Sequence, residues 1–160
     1  MSTIFLYVVL YYILNKMFSK ACEYGIRACV YIMNQTLQNN KVSLKDVANA
    51  IESPEAYTSK ILQQLVKSKI ILSEKGPTGG FSIQSNELDT LKLSSIVNVI
   101  DGENIYLGCG LGLKQCNELN PCPLHNQFKI IRNDLKDMLQ NTSVKSLALK
   151  LEQGETFLKS

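Results

Sequence analysis

The sequence is poor in the residue types from which enzyme active sites are usually built. It contains a single histidine, and neither a nucleophile–base constellation nor a phosphate-cradling motif can be recognised in it. The glycine-rich residues 76–80 resemble a phosphate loop, but a strand rather than a helix is expected to follow them. We therefore predict that the protein is not an enzyme and has no small-molecule substrate.

Net charge is also scarce. The formal net charge of the 160 residues is +3, which is too small to indicate a nucleic-acid partner, so any such partner must be argued from local charge. The chain has no internal repeat and no low-complexity tract, and its hydrophobic content of 45% is ordinary for a folded core. Length and composition together predict one domain with at most a small appendage.

No hydrophobic run is long enough to cross a membrane. The longest, residues 4–14, has eleven apolar or aromatic residues, whereas a spanning helix needs about 17–25. The three residues before it carry no basic side chain, which a secretory signal would have. We predict that Met17 is the natural start, that residues 1–16 are a non-native extension, and that the protein is cytoplasmic with no membrane partner. The alternative is a short amphiphilic helix that packs on the domain or on a membrane.

Hydrophobic periodicity predicts three helices in the first half of the chain. The first covers residues 19–37, with an apolar stripe on one face. Ser43 is the expected N-cap of a short second helix, and Ser53 with Pro54 is expected to open a third that ends near Lys69. The stripe of the first helix comprises Cys22, Ile26, Cys29, Val30 and Met33, and we expect both cysteines to be core residues. The inner face of the third helix is expected to hold Tyr57, Ile61, Leu62, Leu65 and Val66.

Two short strands, residues 70–73 and 81–84, flank a turn rich in glycine. Two helices, a tight turn between them and a following hairpin make a winged helix-turn-helix. We predict a mainly α fold with a small β wing, in which residues 17–92 form a DNA-binding domain.

The second half is predicted to contain a helix over residues 93–100, a structureless loop over residues 102–121 and a long helix from Pro123 to about Gln140. The long helix carries a heptad seam of about two repeats, which suits a helix that pairs across a dimer. The seam comprises Leu124, Phe128, Ile131, Leu135 and Met138. We assign residues 93–142 to a metal-binding loop and dimerisation helix, and residues 143–160 to a C-terminal tail with a weaker amphipathic helix.

Local charge and side-chain type favour DNA binding by the third helix and the wing. Over residues 56–80 four lysines oppose one glutamate, so this segment alone matches the excess positive charge of the chain. Lysines contact phosphates, whereas polar side chains on the exposed helix face can reach base edges. Base contacts are expected from Tyr57, Ser59, Lys60 and Gln63, phosphate contacts from Lys67 and Lys75, and a close backbone approach from Thr78, Gly79 and Gly80. The alternative is a winged helix used only for protein contacts.

Three of the five cysteines lie close together in the loop, near the only histidine. Cys109, Cys116, Cys122 and His125 could complete a tetrahedral metal site. Reduced metal-free thiols, a redox disulfide and a structural zinc site are alternatives, and the spacing alone does not separate zinc from an iron–sulfur cluster.

Several segments resemble the Rrf-two family of bacterial transcriptional regulators. They are SLKDVA at residues 43–48, SPEAY at 53–57, KIL at 60–62 and KGPTGGF at 75–81, with FSK at 18–20 and EYGIR at 23–27. The resemblance covers about residues 17–141. One departure is Lys75, where the family usually has an arginine, whose bidentate fork lysine lacks.

The resemblance implies a homodimer that reads a roughly palindromic DNA operator, paired through the long helix. It also implies an iron–sulfur cluster held by the three cysteines. In IscR-like members a two-iron cluster is completed by a histidine at the position that His125 occupies here, and we favour this cluster type. In NsrR-like members an acidic residue of the partner's first helix completes a four-iron cluster, and Glu23 lies at the matching position. The simpler explanation of Glu23 is an ion pair with Arg27.

These observations predict a DNA-binding transcriptional regulator, a repressor, whose operator affinity is tuned by an iron–sulfur cluster that senses redox state, nitric oxide or iron–sulfur status. A regulator with structural zinc or no metal, and a protein-interaction module, are the alternatives.

Overall fold

The computed structural model describes residues 17–159, so the predictions for residues 1–16 lie outside it. Seven helices and one antiparallel hairpin make up this part of the chain, together with a short 3₁₀ turn at Ser85–Glu87. In chain order they are α1 (Lys20–Leu37), α2 (Leu44–Ala50), α3 (Glu55–Lys67), β1 (Leu72–Glu74), β2 (Gly80–Ser82), α4 (Leu93–Ile100), α5 (Asn104–Leu107), α6 (His125–Asn141) and α7 (Val144–Glu152). Among these helices none is long and apolar enough to cross a membrane. The mainly α fold with a small β wing is thus as predicted.

Helix α1 is the centre of the core, because it contacts α2, α3, α4, α7 and the wing. Ser19 caps it by accepting a hydrogen bond from the Cys22 backbone N–H at 3.1 Å. Cys22 and Cys29 are fully buried on this helix, as predicted for core residues. Burial raises the pKa of the Cys22 thiol to about 12 and that of Cys29 further still, so both stay protonated and unreactive at neutral pH. Ile26 was expected in the same stripe but is only half-buried.

The helix-turn-helix comprises α2 and α3. Ser43 caps α2 as predicted, and its hydroxyl and the Asp46 carboxylate form a reciprocal capping box. The predicted start of α3 is wrong by one residue. Pro54 occupies the cap position in an extended conformation, and its carbonyl accepts hydrogen bonds from the N–H groups of Tyr57 and Thr58. Ser53 therefore does not cap the helix, and its buried hydroxyl has no hydrogen-bond partner within residues 17–159.

The wing is shifted by one or two residues from the prediction. Lys69 adopts a left-handed conformation (φ 60°) and the N–H of Ile70 bonds back to α3, so β1 begins only at Leu72. Glu74 pairs with Gly80 at the tip of the hairpin. A Cβ atom on residue 79 would clash with the backbone carbonyl oxygen of Glu74 on the opposite strand, which explains Gly79.

The second half contains one helix that the prediction missed. Residues 102–121 are not a structureless loop, because α5 forms a single turn inside them and its Tyr106 hydroxyl donates to Asn98 of α4 at 3.1 Å. Helix α6 starts at His125, two residues later than predicted, after a turn closed by the His125 N–H and the Cys122 carbonyl. Helix α7 packs against α1 with Val144 and Ala148 fully buried, so the predicted tail contributes to the core.

Candidate DNA-binding surface and metal centre

Helix α3 presents one face to the core and the other to solvent. Thr58, Ile61, Leu62 and Leu65 are buried, which anchors the helix along its length. The predicted inner position of Tyr57 is wrong. Thr58 takes the buried place, with its hydroxyl donating to the Pro54 carbonyl at 3.0 Å, and Tyr57 is 38% exposed in the first turn of the helix.

Most of the polar residues predicted to contact DNA are exposed on helix α3 or on the wing. Lys60, Gln63 and Lys67 are exposed on α3, and Lys75 and Thr78 are exposed on the wing. A cleft of about 390 Å³ separates helix and wing, and it is lined by Ser59, Gln63, Val66, Lys67, Ser73 and Phe81. Helix and wing therefore form two walls of one concave surface.

Positive charge on this surface is not neutralised by neighbouring acids. Among the ion pairs of residues 17–159, none involves the four lysines of the segment, Lys60, Lys67, Lys69 and Lys75. The one acidic side chain of the wing, Glu74, is paired with Lys41 at 2.6 Å. The surface can therefore offer four free cations to phosphates.

A cluster of charged and aromatic side chains connects α1 with the start of α3. The Tyr24 and Tyr57 rings meet edge to face, with centroids 5.8 Å apart and an interplanar angle of 78°. Glu23 does not pair with Arg27, since its carboxylate lies 3.0 Å from Lys20. Arg27 instead lies over the Tyr24 ring and donates to the Leu158 carbonyl at 3.0 Å.

The cysteines of the second half are brought together in pairs. All three are free thiols that are partly exposed. The Cys109 and Cys122 sulfurs are 3.7 Å apart, and the Cys116 sulfur lies 3.3 Å from Nδ1 of His125. His125 is 6% exposed, which is unusual for a polar side chain in this region.

These two distances match the separation of two ligands on one metal atom. With metal–sulfur bonds of about 2.3 Å and metal–nitrogen bonds of about 2.0–2.1 Å, tetrahedral geometry places two sulfurs about 3.8 Å apart and sulfur and nitrogen about 3.6 Å apart. A single ion would require all four donors at such distances from one another. Within the part of the chain that the structure describes, no three His, Cys, Asp or Glu side chains are grouped in this way.

Backbone groups of the loop also favour a thiolate. Hydrogen bonds from the backbone N–H groups of Leu111 and Leu113 lower the pKa of the Cys109 thiol, with a smaller contribution from Arg132. Arg132 also donates to the Gly108 carbonyl at 2.5 Å, and Gly110 lies so close to the Phe128 ring that a side chain there would clash. The loop is thus attached to α6 next to the cysteine pairs.

Glu23 joins neither pair within one chain, since its carboxylate is bound to Lys20 and, among residues 17–159, no third ligand accompanies the pairs. Any contribution of Glu23 to a cluster would have to come from a second copy of the chain.

The fold and the basic helix–wing surface define a winged-helix DNA-binding regulator. The model of the Rrf2 family, described as an iron-dependent transcriptional regulator, matches residues 18–150, and the chain belongs to this family. Its members are DNA-binding regulators rather than enzymes, in agreement with the prediction from the sequence.

Individual relatives agree with this assignment. The chain is 26% identical over 142 residues to a protein of Aquifex aeolicus (strain VF5) that is named as an HTH-type transcriptional regulator, covering 88% of this chain and 96% of that one. Among solved structures it is similar to CymR, the global cysteine regulator of B. subtilis, with a TM-score of 0.67, 20% identity, and coverage of 82% of this chain and 95% of that one. T. potens IscR has a TM-score of 0.66 at 17% identity, with 87% and 90% covered. At these identities the structures show a common fold.

Proposed function

We propose that the protein is a cytoplasmic, homodimeric repressor whose operator affinity is tuned by a two-iron cluster held by Cys109, Cys116, Cys122 and His125. The observation that carries the proposal is the division of the four donors into two pairs, at 3.7 Å and 3.3 Å. A two-iron cluster takes two protein ligands on each iron, which calls for two such pairs. A zinc ion takes four donors around one point, which the pairs do not provide.

When bound, the cluster supplies a redox-active and ligand-sensitive group. The rest of the mechanism belongs to this chain, which connects the cysteine loop with the recognition helix through α4. Tyr106 beside the loop bonds to Asn98, and the side-chain amide of Gln64 on α3 donates to the carbonyl of the next residue, Val99, at 2.7 Å. A change in loop position biases α3 through these contacts and shifts the dimer between two operator affinities.

A homodimer is supported by the apolar surface of α6. Leu124, Ile131 and Met138 are seven residues apart and are 39%, 56% and 45% exposed, so a continuous apolar stripe faces away from the chain's own core. A second α6 can cover this stripe by heptad packing. Two recognition helices related by a twofold axis would then read a palindromic operator.

We assign the DNA contacts to the surface formed by helix α3 and the wing. Base edges are read from α3 by Tyr57, Ser59, Lys60 and Gln63, while Lys67 and Lys75 bind phosphates and the wing backbone at Thr78, Gly79 and Gly80 approaches the groove. Two observations support this assignment: Ser59, Gln63 and Lys67 line the cleft between helix and wing, and Tyr57, Lys60, Lys75 and Thr78 are exposed.

The test is anaerobic purification of the full chain, followed by absorption spectroscopy and analysis of iron, sulfide and zinc. We expect a coloured protein with about two irons and two sulfides per chain. Cys116→Ala should lose iron, sulfide and the operator response together, whereas Cys29→Ala removes a fully buried thiol of α1 and should keep them. Glu23→Ala should also keep them. About four irons per chain, with loss in Glu23→Ala, would favour the four-iron cluster.

A regulator that responds through its thiols without metal is the second candidate function. The free Cys109 and Cys122 sulfurs 3.7 Å apart favour it, because a small movement would allow a disulfide. A protein that stays colourless after anaerobic reconstitution, and then forms this disulfide when hydrogen peroxide takes the two electrons of the thiols and is reduced to water, would establish it. The disulfide should not form in Cys122→Ser. One zinc per chain would instead support structural zinc. DNA binding without a steep salt dependence would point to a protein-interaction module.

A further inference from the structure

Tyr57 stands at the start of the recognition helix, yet helix α3 itself does little to orient it. Its neighbour Thr58 faces the core, and the Tyr57 side chain points to the partly exposed side of the first turn. The described contact that constrains its ring is the edge-to-face packing on Tyr24 of α1, at 5.8 Å and 78°. A large flexible side chain at a DNA surface gains selectivity when a neighbour holds it in one rotamer.

Tyr24 is in turn held by two cations of its own helix. The Lys20 ammonium lies 4.9 Å and the Arg27 guanidinium 4.7 Å from the centroid of its ring. Cations bind the negative face of an aromatic ring, which leaves ring edges and hydroxyl available to other neighbours. Arg27 is held in this place by its hydrogen bond to the Leu158 carbonyl, while Lys20 also forms a partly exposed ion pair with Glu23. Both cations are therefore held in place from outside the aromatic pair.

We propose that Tyr24 is a specificity-determining positioning residue, which holds Tyr57 in the orientation that reads the operator and is itself held by Arg27 and Lys20. The proposal deepens the proposed function and rests on the base contact assigned there to Tyr57. Tyr24 does not touch DNA in this arrangement. Its effect falls on discrimination between sequences and leaves the phosphate contacts of the lysines unchanged.

The test uses the full chain and a duplex selected from a random-sequence library by the wild-type protein. The measured quantity is the ratio of its affinity to that for a scrambled duplex of equal length. This ratio does not depend on the folded fraction, because unfolded chains weaken both affinities equally. Tyr24→Leu should lower the ratio about 2- to 12-fold per half-site, which is the range expected for an aromatic pair. Tyr24→Phe keeps the ring and should stay within about twofold of the wild type.

A double-variant cycle distinguishes positioning from a general structural effect. If Tyr24 acts through Tyr57, Tyr24→Leu should have no further effect on the ratio in a Tyr57→Leu background. Leu37→Ala is the control, because Leu37 is a half-buried apolar side chain at the opposite end of the same helix and should leave the ratio unchanged. Should Tyr24→Leu not fold, Arg27→Met carries the test, with an expected loss of about 2- to 5-fold.

Three results would overturn the proposal: a wild-type ratio in Tyr24→Leu (or in Arg27→Met, where that variant carries the test), an additive loss in the double variant, or an equal loss in Tyr24→Phe and Tyr24→Leu. A wild-type protein that selects no sequence would instead contradict the proposed function itself, so the two failures are distinguishable.

Discussion

The recognition helix and the cysteine loop differ in what holds them in place. Helix α3 is anchored by four buried side chains and lies against α1, α2 and α4. Between residues 98 and 138, by contrast, His125 is the one buried residue, and the loop is attached by single contacts such as that of Arg132 with Gly108. Burial of apolar surface within one chain therefore accounts for the placement of the DNA-binding half, whereas it contributes little to the placement of the cysteine loop.

The largest expected effect separates the two regions by stability. Leu62 is fully buried under the recognition helix, so Leu62→Ala should lower the free energy of unfolding by about 2–5 kcal/mol. Leu119→Ala, in the loop where Leu119 is 89% exposed, should change it by less than about 0.5 kcal/mol. Chemical denaturation followed by circular dichroism measures both. Equal losses of unfolding free energy in the two variants would show that the loop is packed into the same core as helix α3.

The next prediction concerns the second copy. Ile131→Glu places a charge in the middle of the exposed α6 stripe and should shift the protein from dimer to monomer. The neighbouring Ile130 is 63% exposed but lies outside the stripe, so Ile130→Glu should leave the dimer intact. Sedimentation equilibrium distinguishes the two. A dimer that survives Ile131→Glu would require another interface.

A third prediction concerns the basic surface. Lys67→Ala should weaken binding to all sequences alike and reduce the slope of log affinity against log salt by about 0.9 per recognition helix. Lys150→Ala removes an equally exposed lysine from the far end of α7 and should leave the slope unchanged. Fluorescence anisotropy at several salt concentrations gives the slopes. The same slope in wild type and Lys67→Ala would remove Lys67 from the interface.

The smallest effect is at the cap of α2. Ser43→Ala removes a capping box and should cost about 0.5–2 kcal/mol in the free energy of unfolding. The hydrogen bonds from Ser43 lower the pKa of the Asp46 carboxyl below 3.8, so the carboxylate stabilises the fold above that pH and loses its effect as pH falls through the folded-state pKa. The difference between wild type and Ser43→Ala should therefore shrink in acid. Urea denaturation at neutral and acid pH measures the difference in unfolding free energy between wild type and Ser43→Ala. A difference that is the same at both pH values would show that the Asp46 carboxylate does not contribute to the cap.

Local patterns predicted the DNA-binding half well, because its helices have strong apolar stripes and a specific cap. Ser43 and the glycines of the wing could be assigned from chemistry that acts within a few residues. The prediction errors in this half occur where two neighbouring residues compete for one buried position. Thr58, rather than Tyr57, is buried because its short side chain can bond to the Pro54 carbonyl, and periodicity alone does not register that contact.

Residue types and short spacings were enough to predict the family, the winged-helix class, the basic recognition segment and the four candidate ligands. The folded structure was needed to show that the candidate ligands fall into two pairs, that Glu23 binds Lys20, and that Arg27 joins Tyr24 to Leu158. Such contacts join residues far apart in the chain or select one of several partners within reach. Their geometry follows from packing of the whole domain, which no local pattern encodes.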